Sequence, residues 1–418
     1  MATLLKNVKM KIKYFFLVFF SILLFGNIQA QQKILFDATK AETAGNADWV
    51  IDADQHNLGF PNGYAVVGSG NESNPQRFPT PAQSTVTSST PETYWEGALS
   101  AWGIDLVKKG FEVETLPYNG KITYGNNSNP QDLSHYAVFV VDEPNIRFTS
   151  AEKTAILQFV YHGGGLFMIS DHYRSDRNNN GIDSPEVWND LMQHNFVQTD
   201  PFGISFDLLK FSDNSTNVRN LPDNPILNGP MGKVTELEYF GGTSMTLHPG
   251  DNSSVKGLIY RSNSSFGNAN VMFASATFGK GKVVALGDSS PPDDGTGDPN
   301  DRLYNGWTKD ANGNHERLIM NASIWLAKTL TATSPSKEKD KIGVIFLKKG
   351  NECFLKVSNL PAVSGYQLSV FDLQGKEVAD IRELKPQQTY RIILPSNGIF
   401  VYRLKGDANY LKTGKFYF

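Results

Sequence analysis

The chain has 418 residues, 40% of them hydrophobic and 19% charged, which is ordinary for a globular protein and ample for a large core. Its 42 acidic side chains outnumber 39 basic ones, which argues against nucleic-acid binding, because that needs a basic surface. A lone cysteine, Cys353, excludes an intramolecular disulfide, a cysteine-ligated zinc site and a cysteine nucleophile in the main domain.

Residues 1–30 read as a signal peptide. Lys6, Lys9, Lys11 and Lys13 form the basic start, Tyr14 to Phe25 is apolar but too short for a stable membrane span, and Ala30 precedes Gln31 as a cleavage site would. Cleavage would remove four lysines and leave 35 basic against 42 acidic residues, a net of −7. The expected location is outside the cell, reached through the periplasm.

Lys33 to Phe36 is a first buried strand, ending at Asp37. Residues 38–89 are rich in Gly, Asn, Pro, Ser and Thr and read as long loops. Glu42, Asn46, Asp48 and Trp49 lie close after the strand end, which marks the first part of these loops as functional. Thr90-Pro91-Glu92 has the pattern of a helix start, and Trp95, Leu99, Trp102 and Leu106 make one apolar stripe that Gly110 stops. Phe111 to Leu116 and Tyr136 to Val141 are strands, the second ending in Asp142-Glu143-Pro144. Thr149 and Glu152 form a capping box, and the helix they open leads to the Gly163–Gly165 turn and the strand Leu166 to Ile169. That strand breaks into Ser170, Asp171 and His172.

Ser184-Pro185-Glu186 opens another helix, residues 196–280 mix short strands with turns, and Gly281 to Leu286 is the last strong strand before Asp288. A helix from about Glu316 to Lys328 closes the domain. Continuous apolar strands alternating with amphipathic helices predict an α/β fold: a flavodoxin-like, doubly wound parallel sheet over residues 31–330. Residues 331–341 are polar and proline-punctuated, as a linker is, and 342–418 alternate as the short strands of a small all-β sandwich do.

The final segment resembles the type A C-terminal sorting domain of Bacteroidetes proteins exported by the type IX system. The resemblance rests on Leu368 to Val378, Asn397 to Leu404 and Lys412 to Lys415, though the usual opening Pro-Asn-Pro is missing. It implies the type IX secretion machinery as a partner, removal of the tail, and release or attachment at the cell surface. The main domain resembles the class I glutamine amidotransferase-like superfamily, ThuA-like proteins included, through Phe139 to Pro144, Gly163 to His172 and Gly279 to Asp288. In that family the elbow after the glycine-led strand carries a cysteine nucleophile. Here Ser170 and Asp171 stand there, so glutaminase chemistry does not follow.

In a parallel sheet the strand ends carrying Asp37, Asp142 with Glu143, Asp171 with His172, and Asp288 would share one edge, where ligands bind. Carboxylates gathered there repel unless protonated or neutralised by a cation; alternatively some are caps and loop anchors. Asp171 and His172 are the candidates for acid–base or metal work, with Asp37, Glu143 and Asp288 assisting. Ser170 and Ser289 are weaker candidates as nucleophiles, because neither lies in a G-x-S-x-G elbow. Asp176, Asn178, Asn180 and Asp183 alternate around Gly181 as oxygen ligands of calcium do, or as a solvated Asn/Gly turn does. Asp293 and Asp294, in an acidic glycine loop with Asp298 and Asp301, are further metal candidates or part of a mobile surface turn, and Asp310-x-Asn312-x-Asn314 is a weaker run that reads better as a loop ending in a helix cap at Asn314. The sequence therefore points to a secreted, calcium-associated hydrolase on a glycan-type or related polar substrate, or to a binding protein using the same cleft.

Overall fold

The computed structural model describes residues 32–45, 47–52, 83–95, 97–297 and 305–328 of the main domain. In the C-terminal part it describes 343–349, 352–358, 366–372, 375–385, 388–395, 398–406 and 409–418. The signal-peptide reading, the 331–341 linker, Asn46, Asp298 and Asp301 lie outside the described residues. The chain divides into two compact units, Met1–Thr329 and Leu330–Phe418.

The first unit is built on one sheet. Strands β1 (Lys33–Asp37), β2 (Glu112–Leu116), β3 (Val138–Asp142) and β4 (Gly165–Ile169) are parallel, with β1 between β2 and β3. β4 pairs in parallel with a strand near the end of the domain, Gly281–Leu286. Beyond that strand the sheet turns antiparallel through Val271–Phe278, Met245–Leu247 and Ile204–Phe206, with Lys256–Tyr260 at its side. The segment expected only to be mixed, 196–280, thus supplies an antiparallel extension of a parallel core.

Alternate strand residues feed two cores, as they must in a sheet covered on both faces. Ile34, Phe36, Val138, Val140, Phe167, Ile169, Val284 and Leu286 face one core, with helix α1 (Ser100–Lys108) and the last helix of the domain, Asn314–Ala327. Trp102 of α1 meets Phe36 and Phe167 edge-on, each at 5.1 Å, and its indole N–H donates to Ser323. Leu35, Phe139, Val141, Leu166, Met168, Val283 and Ala285 face the other core, with helices α2 (Ser150–Tyr161) and α3 (Ser184–Gln193). The Thr149–Glu152 capping box forms as expected.

One helix boundary differs from the sequence reading. Residues 92–94 make a single 3-10 turn, and α1 begins only at Ser100. Between them the backbone pairs across the chain: Ala98 and Leu99 donate to the carbonyls of Asp48 and Val50. Gly97 lies so close to Val50 that a Cβ would stand 2.4 Å from its carbonyl oxygen. Bonds to the 48–50 loop replace the helical ones, so Trp95 is buried from an extended segment.

The second unit is a small all-β sandwich of two antiparallel sheets, one of three strands and one of four. Its core includes Leu355, Val357, Leu368, Val370, Phe400, Tyr402 and Leu404. Among the described residues, no helix is long and apolar enough to cross a membrane.

Candidate active site

Four neighbouring parallel strands end on the same edge: β1 at Asp37, β3 at Asp142, β4 just before Ser170, and the Gly281–Leu286 strand just before Asp288. Carboxyl ends of parallel strands are where open α/β sheets form ligand clefts. Here they frame a cavity of about 200 Å³, lined by Trp49, Asp171, His172, Arg177, Lys210, Gly241, Ser289 and Ser290.

Glu143 is the hub. It is fully buried, and its backbone is left-handed at φ +47°. That conformation costs a non-glycine residue roughly 1–3 kcal/mol, and it persists only where surroundings enforce it. The Glu143 N–H donates to Ile169, and its carbonyl accepts from the Asn145 amide, which holds the turn. Four donors converge on the carboxylate. Arg177 grips it with Nε at 2.7 Å and Nη2 at 3.1 Å, the Trp49 indole donates at 2.7 Å and the Ser289 hydroxyl at 3.0 Å. With its acceptor sites so occupied, Glu143 is an anchor and has little capacity left to move protons.

Asp171 and His172 differ. The Arg177 Nη2 reaches Asp171 Oδ2 at 3.3 Å. Burial nevertheless pushes the Asp171 carboxyl well above its ordinary range, and the Glu143 charge adds to that. Burial lowers the pKa of His172 and keeps its ring neutral. The His172 Nδ1 lies 2.7 Å from the Tyr173 carbonyl, which can only accept, so Nδ1 carries the proton. Nε2 is left with its lone pair, 3.8 Å from Asp171 Oδ2. A carboxyl with a raised pKa and an imidazole with a free Nε2 thus face each other in one cavity.

The remaining sequence candidates are distributed differently. Ser170 is buried and its hydroxyl donates to the Asp171 carbonyl, so it forms no pair with His172. Asp288 anchors loops: Oδ2 accepts from the N–H groups of Phe240 and Gly241, and Oδ1 from Ser290. Asp37 sits with Glu42, Lys40 and Glu152 as its charged neighbours, apart from the Glu143 network. Asp142 is buried with neither oxygen hydrogen-bonded, and Glu143, Asp293 and Asp288 add to the burial that raises its pKa.

In the 176–183 run, Asp176 accepts from the N–H groups of Asn180 and Gly181, and Asn180 Oδ1 from that of Ile182. Asn178 Oδ1 accepts from Asn180, and both asparagine amides donate to the Asn145 carbonyl. Asp183 precedes α3 and accepts from the Arg174 N–H. Asp294 accepts from the Ala101 and Thr296 N–H groups, and Asp293 from that of Gly295. The described group of three Asp, Glu, His or Cys side chains with ligand atoms within 4.8 Å of one another is Asp200, His248 and Asp251, none of them a sequence candidate.

Sequence reasoning passed over Arg177 and Lys210. Arg177 was hidden inside the Asp/Asn run as its single cation, and only the fold shows that it points at Glu143. Lys210 reaches the cavity from the start of a hairpin, Phe211–Ser215 with Leu237–Gly242.

No family model matches the chain, and no curated protein does. Among solved structures, the mmIFT52 N-terminal domain is 13% identical, with 71% of this chain and 98% of that chain covered and a TM-score of 0.40. A ThuA-like protein from Parabacteroides merdae is 10% identical over 73% of this chain and 93% of its own, TM-score 0.34. An exo-beta-1,4-mannosidase from an Opitutaceae bacterium is 9% identical, TM-score 0.31, and the match spans 76% of this chain but 39% of the mannosidase. At these values the likenesses carry no argument about activity.

Proposed function

We propose that the protein is a hydrolase that cleaves a small polar substrate by acid–base catalysis between Asp171 and His172. The observation that carries this reading is the pair itself: an imidazole with Nδ1 committed to the Tyr173 carbonyl and Nε2 free, 3.8 Å from a buried carboxyl whose pKa is raised by burial. His172 Nε2 takes a proton from water as the water oxygen attacks the electrophilic carbon, and Asp171 gives its proton to the departing group. The new Asp171 carboxylate is stabilised by Arg177, and the imidazolium returns the proton to it, restoring both groups. Glu143, held by Trp49, Ser289 and Arg177, keeps Arg177 in place. The cavity of about 200 Å³ is smaller than the roughly 300–1,000 Å³ of drug-sized ligand sites, which restricts it to a small unit such as one sugar ring. Glycan-derived glycosides and esters are therefore the first substrates to assay, with His172→Gln as the control that removes the base.

A second reading, a non-catalytic surface protein that binds a ligand in this cavity, is favoured by the fixed Glu143–Arg177 ion pair and by exposed Lys210. Among the described residues Lys210 makes no hydrogen bond or ion pair, and it is suited to holding a polar ligand. Ligand binding unaffected by His172→Gln, with no turnover in the wild type, would support it.

The reading extends to context. Export through the type IX machinery is supported by the three C-terminal motifs and by a tail that folds as a unit of its own. Calcium in the 176–183 loop is supported by the alternating oxygens and by Gly181 at φ +82°. An ion there would brace the loop that carries Arg177.

A further inference from the structure

A run of buried side-chain oxygens follows β1. The eight residues after β1 turn back on themselves, and four side-chain oxygens in this turn are buried without a hydrogen-bond partner: Asp37 Oδ2, Thr39 Oγ1, Glu42 Oε1 and Thr43 Oγ1. The exposures are 2%, 8%, 0% and 1%, so water does not reach these groups from the surface. Buried polar oxygens are nearly always satisfied, and each one left alone costs on the order of 1–3 kcal/mol.

The two carboxylates feel each other, and the charge of Asp37 adds to the burial that raises the pKa of Glu42. The Thr39 hydroxyl lies against the Asp37 carboxylate and opposes its upward shift. The nearby cation, Lys40, is committed to Glu152 at 2.8 Å and lies against the Phe148 ring. The other oxygens of the two acids are occupied, Asp37 Oδ1 by the Thr39 N–H and Glu42 Oε2 by the Lys40 N–H.

We propose that Asp37, Thr39, Glu42 and Thr43 bind one hard divalent cation, of the calcium or magnesium kind. Two carboxylates neutralise its charge, two hydroxyls complete an oxygen-only set, and the absence of nitrogen and sulfur ligands disfavours zinc or copper. The site is independent of the chemistry proposed for Asp171 and His172. It matters to the cavity because of what the turn supports. The Glu42 carbonyl accepts from the Trp49 N–H, and the Lys40 carbonyl accepts from the Asn145 N–H. Gly45, at φ +71°, packs so that a Cβ would stand 3.0 Å from the Arg177 carbonyl oxygen. A cation at 37–43 would therefore fix the backbone beneath Trp49, the Glu143 turn and Arg177 together.

The test uses the full chain stripped with chelator and dialysed. Ca²⁺, Mg²⁺ and Na⁺ are titrated separately while melting temperature and binding heat are measured. In an Asp176→Asn background, which removes the other proposed calcium loop, the chain should still show a saturable rise in melting temperature with Ca²⁺ or Mg²⁺, and adding the Asp37→Asn/Glu42→Gln pair should abolish it. Thr43→Val removes a ligand without removing charge and should raise the half-saturating concentration by about tenfold or more. It keeps the proposal testable if the double variant does not fold. A rise that survives the Asp37→Asn/Glu42→Gln pair in that background, or a half-saturation unchanged by Thr43→Val there, overturns the site. So does a response to Na⁺ alone, or no response to any of the three.

Discussion

Replacing Arg177 by Gln tests whether Glu143 is an anchor held by a buried ion pair. Glu143 is 0% exposed and the Arg177 side chain 15%, so neither charge is well solvated. Removing one partner of such a pair leaves an uncompensated buried charge and typically costs about 3–5 kcal/mol. Trp49 and Ser289 still donate to the carboxylate at 2.7 and 3.0 Å, which places the expected loss at the lower end, about 3 kcal/mol. For a domain of this size about 2 °C of melting temperature is lost per kcal/mol, so the drop should be about 6 °C. The double variant Glu143→Gln/Arg177→Gln removes both charges and keeps an amide oxygen for Trp49 and Ser289, so it should recover at least about half of that loss. The assay is urea and thermal unfolding of the four proteins of the cycle. A single-variant loss below about 1 kcal/mol, or a double variant no more stable than Arg177→Gln, would refute the anchor reasoning.

Asp294 gives a pH prediction with a definite sign. Burial raises its folded pKa to about 7 from an ordinary 3.8. The folded state therefore holds this proton more tightly, and the contribution to stability is full below about pH 4 and fades as pH climbs through 7. Between about pH 5 and pH 8 the wild type should lose stability relative to Asp294→Asn, as read by melting temperature; a gap that stays constant or widens in the other direction contradicts the shift. Gly241→Val should close the cavity, since its Cβ would lie 3.5 Å from the His172 ring and 3.8 Å from the Lys210 chain. Ligand binding or turnover should fall at least about tenfold while the melting temperature stays within a few degrees, and unchanged kinetics would place the ligand elsewhere. Chelation should lower the melting temperature of the wild type more than that of Asp176→Asn if the 176–183 loop holds calcium. Equal shifts in the two proteins would remove calcium from that loop.

The parts of this fold legible in the sequence were those fixed by local pattern. The continuous apolar runs ending in Asp37, Asp142, Ser170 and Gly287 read directly as buried parallel strands, and the edge they share followed from the topology rule for such sheets. The stripe Trp95–Leu106 misled because its apolar spacing suits a helix, whereas Ala98 and Leu99 bond to the 48–50 loop and the helix begins only at Ser100. The roles of the acids were not legible, because a carboxylate's role is decided by partners distant in sequence. Asp288 is an anchor through Phe240 and Gly241, and Glu143 is neutralised by Arg177, 34 residues away. Asp37 and Glu42 are close in the chain, but only burial shows that their outer oxygens lack partners. Asp171 and His172 stood out early because they follow a buried strand directly, and the structure adds that both line one cavity, with His172 Nε2 3.8 Å from Asp171 Oδ2.

The central claim is that His172 acts as a base on a bound polar substrate. The most direct measurement is turnover of a panel of glycosides, acetyl esters and amides by the wild type and by His172→Gln, with folding checked by circular dichroism. The account predicts hydrolysis of at least one class by the wild type and a fall of about 10²–10⁴-fold in kcat for His172→Gln, with the fold unchanged. Equal turnover in the two proteins, or saturable ligand binding with no turnover in either, would contradict it.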